Sequence, residues 1–104
     1  MDKKKNIKVV KAFKKIVSEK IKIKKIILFG SRARGDFRKD SDFDLIVVSD
    51  EFDGVRSYKR APDMYRAWDA NYSVDFVCLT SEEFEGMKDK PTIINLAIKE
   101  GIEI

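Results

Sequence analysis

Hydrophobic and polar positions alternate with different periods along the chain, and each change of period predicts a new element. Over residues 6–20, valine, isoleucine and phenylalanine recur every three or four positions, while lysines occupy the opposite side. This pattern predicts an amphipathic helix with Asn6 as its N-cap. Residues 26–29 form a short apolar run typical of a buried strand. Residues 42–48 predict a second strand that is apolar beyond its first three residues, and residues 72–79 alternate as a third strand.

The segments between these strands predict the connections. Residues 31–41 predict a surface loop or a short helix start, and residues 50–54 predict a turn. Residues 55–69 have helical character but contain Pro62, which should start a new helix there or kink one. One or two helices should therefore precede the third strand.

Capping signals organise the end of the chain. Thr80 and Glu83 predict a capping box for a short helix that runs to about residue 88. Pro91, at a first helical position, should open a last helix that Gly101 ends, and the final three residues predict an edge strand. Helices and strands thus alternate, which predicts an α/β sandwich of three to four strands with helices packed on the sheet.

Composition limits the class of protein. The 104 residues are 43% hydrophobic and 38% charged with two prolines, so we expect residues 1–104 to form a single globular domain. No apolar run is long enough to span a membrane and no signal-peptide pattern is present, so we expect no membrane contact and a cytoplasmic location. The absence of histidine excludes imidazole-based catalysis, and the single cysteine, Cys78, is expected to be a buried strand residue.

Positive charge is concentrated at the start of the chain. Residues 1–25 hold eleven lysines and two acids, whereas residues 26–104 carry a net charge of −5. Such a basic stripe can bind nucleic acid or an acidic partner. Because the lysines lack interleaved aromatic residues or arginines, the favoured interpretation is a solvated helix face.

Three aspartates carry the candidate chemistry. Asp42 and Asp44 open the second predicted strand, so their side chains should point to one face with Cα atoms about 6.6 Å apart. Asp75 lies inside the otherwise apolar third strand, where burial of a carboxylate is costly unless a partner compensates it. Magnesium takes carboxylate oxygens and keeps positions for water and substrate phosphates. The three aspartates are therefore candidate magnesium ligands.

A glycine–serine pair precedes these aspartates. Gly30 and Ser31 follow the first predicted strand directly, at a possible helix start. Glycine permits close approach of a phosphate, and helix N-termini attract anions. Arg34 or Arg32 would then neutralise charge on a bound triphosphate. Together with the aspartates, this order of motifs indicates a nucleotide-binding site.

The chain resembles the minimal nucleotidyltransferases of the DNA polymerase beta superfamily in three motifs. These are Gly-Ser-Arg-Ala-Arg-Gly at residues 30–35, Ser-Asp-Phe-Asp-Leu-Ile-Val at residues 41–47 and Val-Asp-Phe-Val at residues 74–77. The resemblance covers nearly the whole chain. It implies a small mixed β-sheet with helices packed on it, in the palm-like nucleotidyltransferase fold.

The resemblance also implies a role for each candidate residue. Gly30 and Ser31 would bind phosphate, Asp42 and Asp44 would bind two Mg²⁺ ions, and Asp75 would be a third ligand or the general base. Larger members of the superfamily add domains that hold the acceptor, so a second macromolecule should complete the site. Short proteins of this kind resemble antitoxins that pair with a small helical HEPN partner and transfer AMP from ATP to a tyrosine of it.

Two function hypotheses follow. The first is a magnesium-dependent protein adenylyltransferase that acts on a tyrosine hydroxyl of a HEPN toxin. The alternative is a non-catalytic antitoxin that neutralises its partner by contact, although the presence of all three acids and the Gly-Ser pair favours the enzyme. The aromatic residues of the second helical region could stack a base or form a partner surface, or they could pack in the core. Core packing is the favoured interpretation for Tyr65 and Trp68. These aromatic residues are Tyr58, Tyr65, Trp68 and Tyr72.

Overall fold

Four short strands form one mixed sheet in the computed structural model, which describes residues 3–104. The strands are β1 (Lys25–Phe29), β2 (Phe43–Val48), β3 (Val74–Leu79) and β4 (Ile102–Glu103). The helices are α1 (Lys3–Ser18), α2 (Ser31–Arg34), α3 (Ser57–Ala67), α4 (Ser81–Met87) and α5 (Ile93–Glu100). The sheet order is β3-β2-β1-β4, with β2 and β3 parallel and the other pairs antiparallel. The predicted α/β fold with a small mixed sheet is confirmed.

Helices cover both faces of the sheet, and alternate strand residues serve the two faces. On one face, Leu28 and Leu45 pack with buried residues of α1 and α3, such as Phe13 and Met64. On the other face, a smaller core joins the sheet to α4 and α5. Its members are Ile27, Ile46, Val48, Leu79, Phe84, Ile94 and Ala97. This burial on both sides explains why β1 and β2 are almost continuously apolar.

The N-cap predicted at Asn6 is wrong, because α1 is already helical at Lys3. The Asn6 side chain lies on the inner face, with 2% of its surface exposed. It contacts α2 there and does not cap its own helix. The apolar face predicted for this helix is correct, since Val10, Phe13 and Val17 are buried.

No helix starts at either proline. Pro62 neither ends nor starts a helix, because α3 runs through it without a break. The last helix does not open at Pro91; Thr92 caps it, and the Thr92 hydroxyl accepts a hydrogen bond from the amide of Asn95. The Thr92 hydroxyl satisfies an amide of the first helical turn, which a proline at the first helical position would leave unpaired.

The remaining expectations for the end of the chain are confirmed. Thr80 and Glu83 form the reciprocal capping box of α4. Gly101 is the C-cap of α5, and β4 follows it as an edge strand paired with β1. Within residues 3–104, no helix combines the length and the apolar character that crossing a membrane requires.

Candidate active site

Three neighbouring strands bring the candidate residues to one end of the sheet. Phe29, the last residue of β1, lies opposite Asp44 of β2, and Asp44 lies beside Asp75 of β3 in the parallel register. Asp42 directly precedes β2. The Gly-Ser pair follows β1, so it reaches the same sheet end as the aspartates.

The expectation that Asp75 is a buried carboxylate is wrong, because its side chain is exposed. β3 is an edge strand, and α4 packs over its far end, where Leu79 and Phe84 share a core. The Asp75 end of this face is left open. An exposed acid needs no buried partner, so burial does not mark Asp75 as a site residue. Its position beside Asp44 in the sheet does.

Gly30 has to be glycine for two reasons. Its φ of 76° lies in the left-handed region, which side chains other than glycine rarely adopt. A Cβ atom at this position would also overlap the carboxylate of Asp44. The backbone at the end of β1 therefore lies directly against the central aspartate.

Electrostatic repulsion links the three aspartates. Partial burial raises the pKa of Asp44, and the charges of Asp75 and Asp42 raise it further, while Arg34 opposes the shift. In the part of the chain that the structure describes, no three acidic or thiol side chains are already close enough together to hold a metal ion. The donors are nevertheless carboxylate oxygens, which Mg²⁺ prefers, and a cation would relieve their repulsion.

The short helix α2 presents phosphate-binding groups beside these acids. The amides of Ala33 and Arg34 donate to the carbonyl of Gly30, which leaves those of Ser31 and Arg32 as donors at the helix start. The Arg34 side chain is 44% exposed and pairs with Glu100 of α5, with 3.4 Å between Nη1 and Oε2. Arg34 is thus accessible to a ligand held at the start of α2.

Arg32 does not neutralise a ligand, because its side chain is buried at 1% exposure. Its Nε and Nη2 donate to the carbonyl of Ser41 at 3.1 and 2.9 Å, and Nη2 also donates to the carbonyl of Lys39 at 3.3 Å. Ser41 immediately precedes Asp42. Arg32 therefore fixes the loop that delivers the first aspartate to the site.

Two further sets of contacts hold Arg32 in place. Asn6 of α1 accepts from Nη1 at 3.1 Å and donates to the Arg32 carbonyl at 3.2 Å. The guanidinium also lies 4.4 to 4.9 Å from the ring centres of Phe37, Phe43 and Tyr72. Sequence reasoning missed the positioning roles of Arg32 and Asn6, since polarity alone predicts an exposed side chain and a helix cap.

A cleft of about 260 Å³ lies between these residues and α5. The sheet end and α2 contribute Phe29, Gly30, Arg34 and Asp44. The α5 wall contributes Ile93, Leu96, Ala97 and Glu100. The cleft thus combines candidate phosphate-binding and metal-binding groups with an apolar wall.

The other singled-out residues lie away from this cleft. Trp68 and Tyr72 pack on Phe43 with ring centres 5.3 and 5.2 Å apart, which confirms core packing for Trp68. Tyr65 is 46% exposed, so it is only partly a core residue. Cys78 is buried, and burial raises the pKa of its thiol to about 11, so it stays protonated near neutral pH.

The structure thus brings a glycine–serine turn and paired aspartates to one end of a mixed sheet. The sequence pattern of the nucleotidyltransferase domain family matches residues 10–103. The chain therefore belongs to the nucleotidyltransferase domain family, and the resemblance drawn from its motifs is confirmed.

Curated relatives carry a more specific name. Proteins of Methanocaldococcus jannaschii named "putative protein adenylyltransferase" are 49% identical over 51 residues and 31% identical over 70 residues. The first match covers 46% of this chain and 51% of the relative, and the second covers 65% and 71%. The chain thus spans about half the length of the first relative.

Solved structures share the fold. A "putative nucleotidyltransferase from Sulfolobus solfataricus" superposes with a TM-score of 0.67 at 22% identity, covering 97% of this chain and 80% of that chain. A toxin–antitoxin structure with AMP-PNP gives a TM-score of 0.51 at 22% identity, covering 99% and 72%. At this identity the likeness concerns the fold.

Proposed function

We propose that this protein is a magnesium-dependent adenylyltransferase that moves AMP from ATP to a tyrosine hydroxyl of a HEPN-type partner, as the antitoxin of a toxin–antitoxin pair. The observation that carries the proposal is the register of Asp44 beside Asp75 at the sheet end where Gly30 and Ser31 emerge. The proposal treats residues 1–104 as one catalytic domain. Family membership and the names of the relatives support the type of reaction.

Each group has a part in this reaction. Ser31 and Arg34 bind the triphosphate of ATP at the start of α2. The acceptor oxygen bonds to the α-phosphorus while the bond from this phosphorus to the bridging oxygen breaks, and pyrophosphate leaves. Asp75 accepts the hydroxyl proton or serves as a further metal ligand. Asp42 and Asp44 would hold the Mg²⁺ ions, which when bound neutralise phosphate charge and lower the pKa of the acceptor hydroxyl.

The macromolecular acceptor is supported by the open site and by the relatives. The exposed Asp75 leaves room for an acceptor to approach from outside the chain. One structural neighbour is a toxin–antitoxin pair with AMP-PNP, and the curated relatives carry the name of protein adenylyltransferases. A protein hydroxyl of a toxin partner accounts for both names.

The test uses ATP labelled at the α-phosphate in one reaction and at the γ-phosphate in another, with Mg²⁺ and a lysate of the source cells. We expect label on one small protein from the α-labelled reaction only. The double variant Asp42→Asn with Asp44→Asn should abolish labelling and remain folded, because removing like charges relieves repulsion. The matched control is Asp53→Asn with Asp89→Asn, which makes the same charge change at exposed positions away from the site.

Two results would contradict the proposal. Labelling that survives the Asp42→Asn and Asp44→Asn double variant would show that these acids are not the metal ligands. No labelling with wild-type protein, together with stable capture of one small partner, would favour the non-catalytic antitoxin.

A further inference from the structure

The cleft-facing side of α5 exposes large apolar side chains inside the candidate site. Ile93, Leu96, Ala97 and Glu100 follow one another at helical spacing and all line the cleft. Ile93 is 61% exposed and Leu96 is 52% exposed. Exposed apolar side chains that line a cleft together commonly mark a ligand site.

This side of α5 has a polar end and an apolar end. Glu100 lies beside Arg34, with 3.4 Å between the paired atoms. Ile93 lies seven residues earlier, or about 10 Å along the helix axis. A ligand with phosphates at Arg34 and a flat apolar group about the length of a nucleoside from them would contact both ends of the cleft.

We propose that Ile93 and Leu96 form the subsite for the base of the nucleoside triphosphate. This inference rests on the proposed function, since it takes the phosphates to lie at Ser31 and Arg34. The charged residues that line the cleft are Arg34, Asp44 and Glu100. Toward Ile93, the α5 wall of the cleft is apolar. Contact with a base ring would remove this apolar surface from water, which stabilises the complex.

The test compares two probes in the presence of Mg²⁺, α,β-methylene-ATP and inorganic tripolyphosphate, by titration calorimetry. The double variant Ile93→Asn with Leu96→Asn alters exposed positions, so we expect it to fold. It should bind α,β-methylene-ATP about tenfold more weakly than wild type, as expected when apolar contact with a ring is lost. Its affinity for tripolyphosphate should stay within about twofold, because that probe has no base.

The matched control is Ile98→Asn, which changes a 37% exposed residue of the same helix that does not line the cleft. It should change neither affinity. Wild-type affinity of the double variant for α,β-methylene-ATP would overturn the base subsite and leave the proposed function standing. If that variant also failed to modify the acceptor, the α5 face would be an acceptor-docking surface instead. Failure of the wild-type protein to bind either probe would overturn the subsite and the proposed function together.

Discussion

Arg32 connects three parts of the molecule that are distant along the sequence. It joins α1 through Asn6, the loop before β2 through Ser41, and the segment before β3 through the ring of Tyr72. No carboxylate of residues 3–104 forms an ion pair with Arg32. Backbone carbonyl oxygens and a side-chain amide oxygen accept the hydrogen bonds of its guanidinium instead. Its planar fork of donors suits this arrangement, and an ammonium group cannot reproduce it.

We therefore expect Arg32→Lys to lower the free energy of unfolding by about 2 to 3 kcal/mol, since several buried hydrogen bonds are lost. Looser placement of Asp42 should also raise the Mg²⁺ concentration needed for half-maximal transfer. Chemical denaturation and Mg²⁺ titrations of activity measure the two effects. Arg38→Lys, at an exposed arginine of the same loop, is the control. An unchanged Mg²⁺ requirement in a destabilised Arg32→Lys protein would limit Arg32 to stability.

Gly30 makes a second prediction at the scale of single residues. Gly30→Ala should destabilise the protein by about 1 to 2 kcal/mol through its left-handed φ, and should abolish transfer because the new methyl group displaces the Asp44 carboxylate. Gly86→Ala in α4 has open space around its Cβ and should be neutral or stabilise by about 0.5 to 1 kcal/mol. Thermal denaturation and a transfer assay compare them. Equal activity of the two variants would contradict this account of Gly30.

Residues that repeat a known chemical pattern could be selected from the sequence, whereas their surroundings could not. Asp42, Asp44 and Asp75 stand out because acids are rare near apolar strands. The exposure of Asp75 depends on α4 covering only the far end of β3, which no local pattern specifies. The burial of Arg32 likewise depends on Asn6, 26 residues earlier.

At the scale of elements, capping was predicted correctly at α4, where two residues of the first turn specify the cap together. Thr80 and Glu83 act within one turn, so their capping box follows from spacing alone. The helix α3 continues through Pro62 because the proline side is solvent-exposed, while Met64 and Ala67 bury the opposite side and hold the helix together. Tertiary packing outweighs the local preference there.

The α4 cap also carries a pH-dependent contribution. Glu83 pairs with the buried Arg60, with 2.6 Å between Oε1 and Nη1, and this hydrogen bond with that of the Thr80 amide holds the pKa of Glu83 below its usual range. This contribution to the free energy of unfolding is complete when the pH is above the ordinary pKa of glutamate, near 4.5. It is lost as the pH falls through the lower pKa of the folded protein.

Glu83→Gln should therefore lower the free energy of unfolding by about 0.5 to 1 kcal/mol at pH 7, because solvent screens a carboxylate that is 38% exposed. The difference from wild type should become smaller below about pH 4.5. Urea denaturation at several pH values measures this. Glu85→Gln, at an exposed position of the same helix, should have little effect at any pH. A Glu83→Gln deficit that persists unchanged at low pH would contradict the ion-pair explanation.

At the scale of the whole molecule, the charge separation predicted from composition has a defined location. Lys8, Lys11 and Lys15 lie exposed on the outer side of α1, and among the described residues no ion pair involves them. The candidate site lies toward the opposite face of the sheet, on which α4 and α5 pack. The lysines are thus separated from the cleft by the sheet.

Reversal of all three charges, Lys8→Glu with Lys11→Glu and Lys15→Glu, should leave nucleotide affinity and transfer unchanged, because these lysines form a solvated face. Calorimetry with α,β-methylene-ATP and the labelling assay check this. Oligonucleotide binding by wild type that falls steeply with salt and disappears in the variant would instead support the nucleic-acid interpretation.

The two faces of the sheet also differ in how firmly they hold their helices. Among the described residues, the core on the α1 and α3 side has fourteen buried apolar side chains, against seven in the core on the α4 and α5 side. Local opening takes the least free energy where the fewest apolar contacts break. Backbone amides of α5 should therefore exchange with deuterium before those of α3. The α5 wall of the cleft should thus open more readily than the helices on the other face, so ligand entry need not disturb the strands that hold the aspartates.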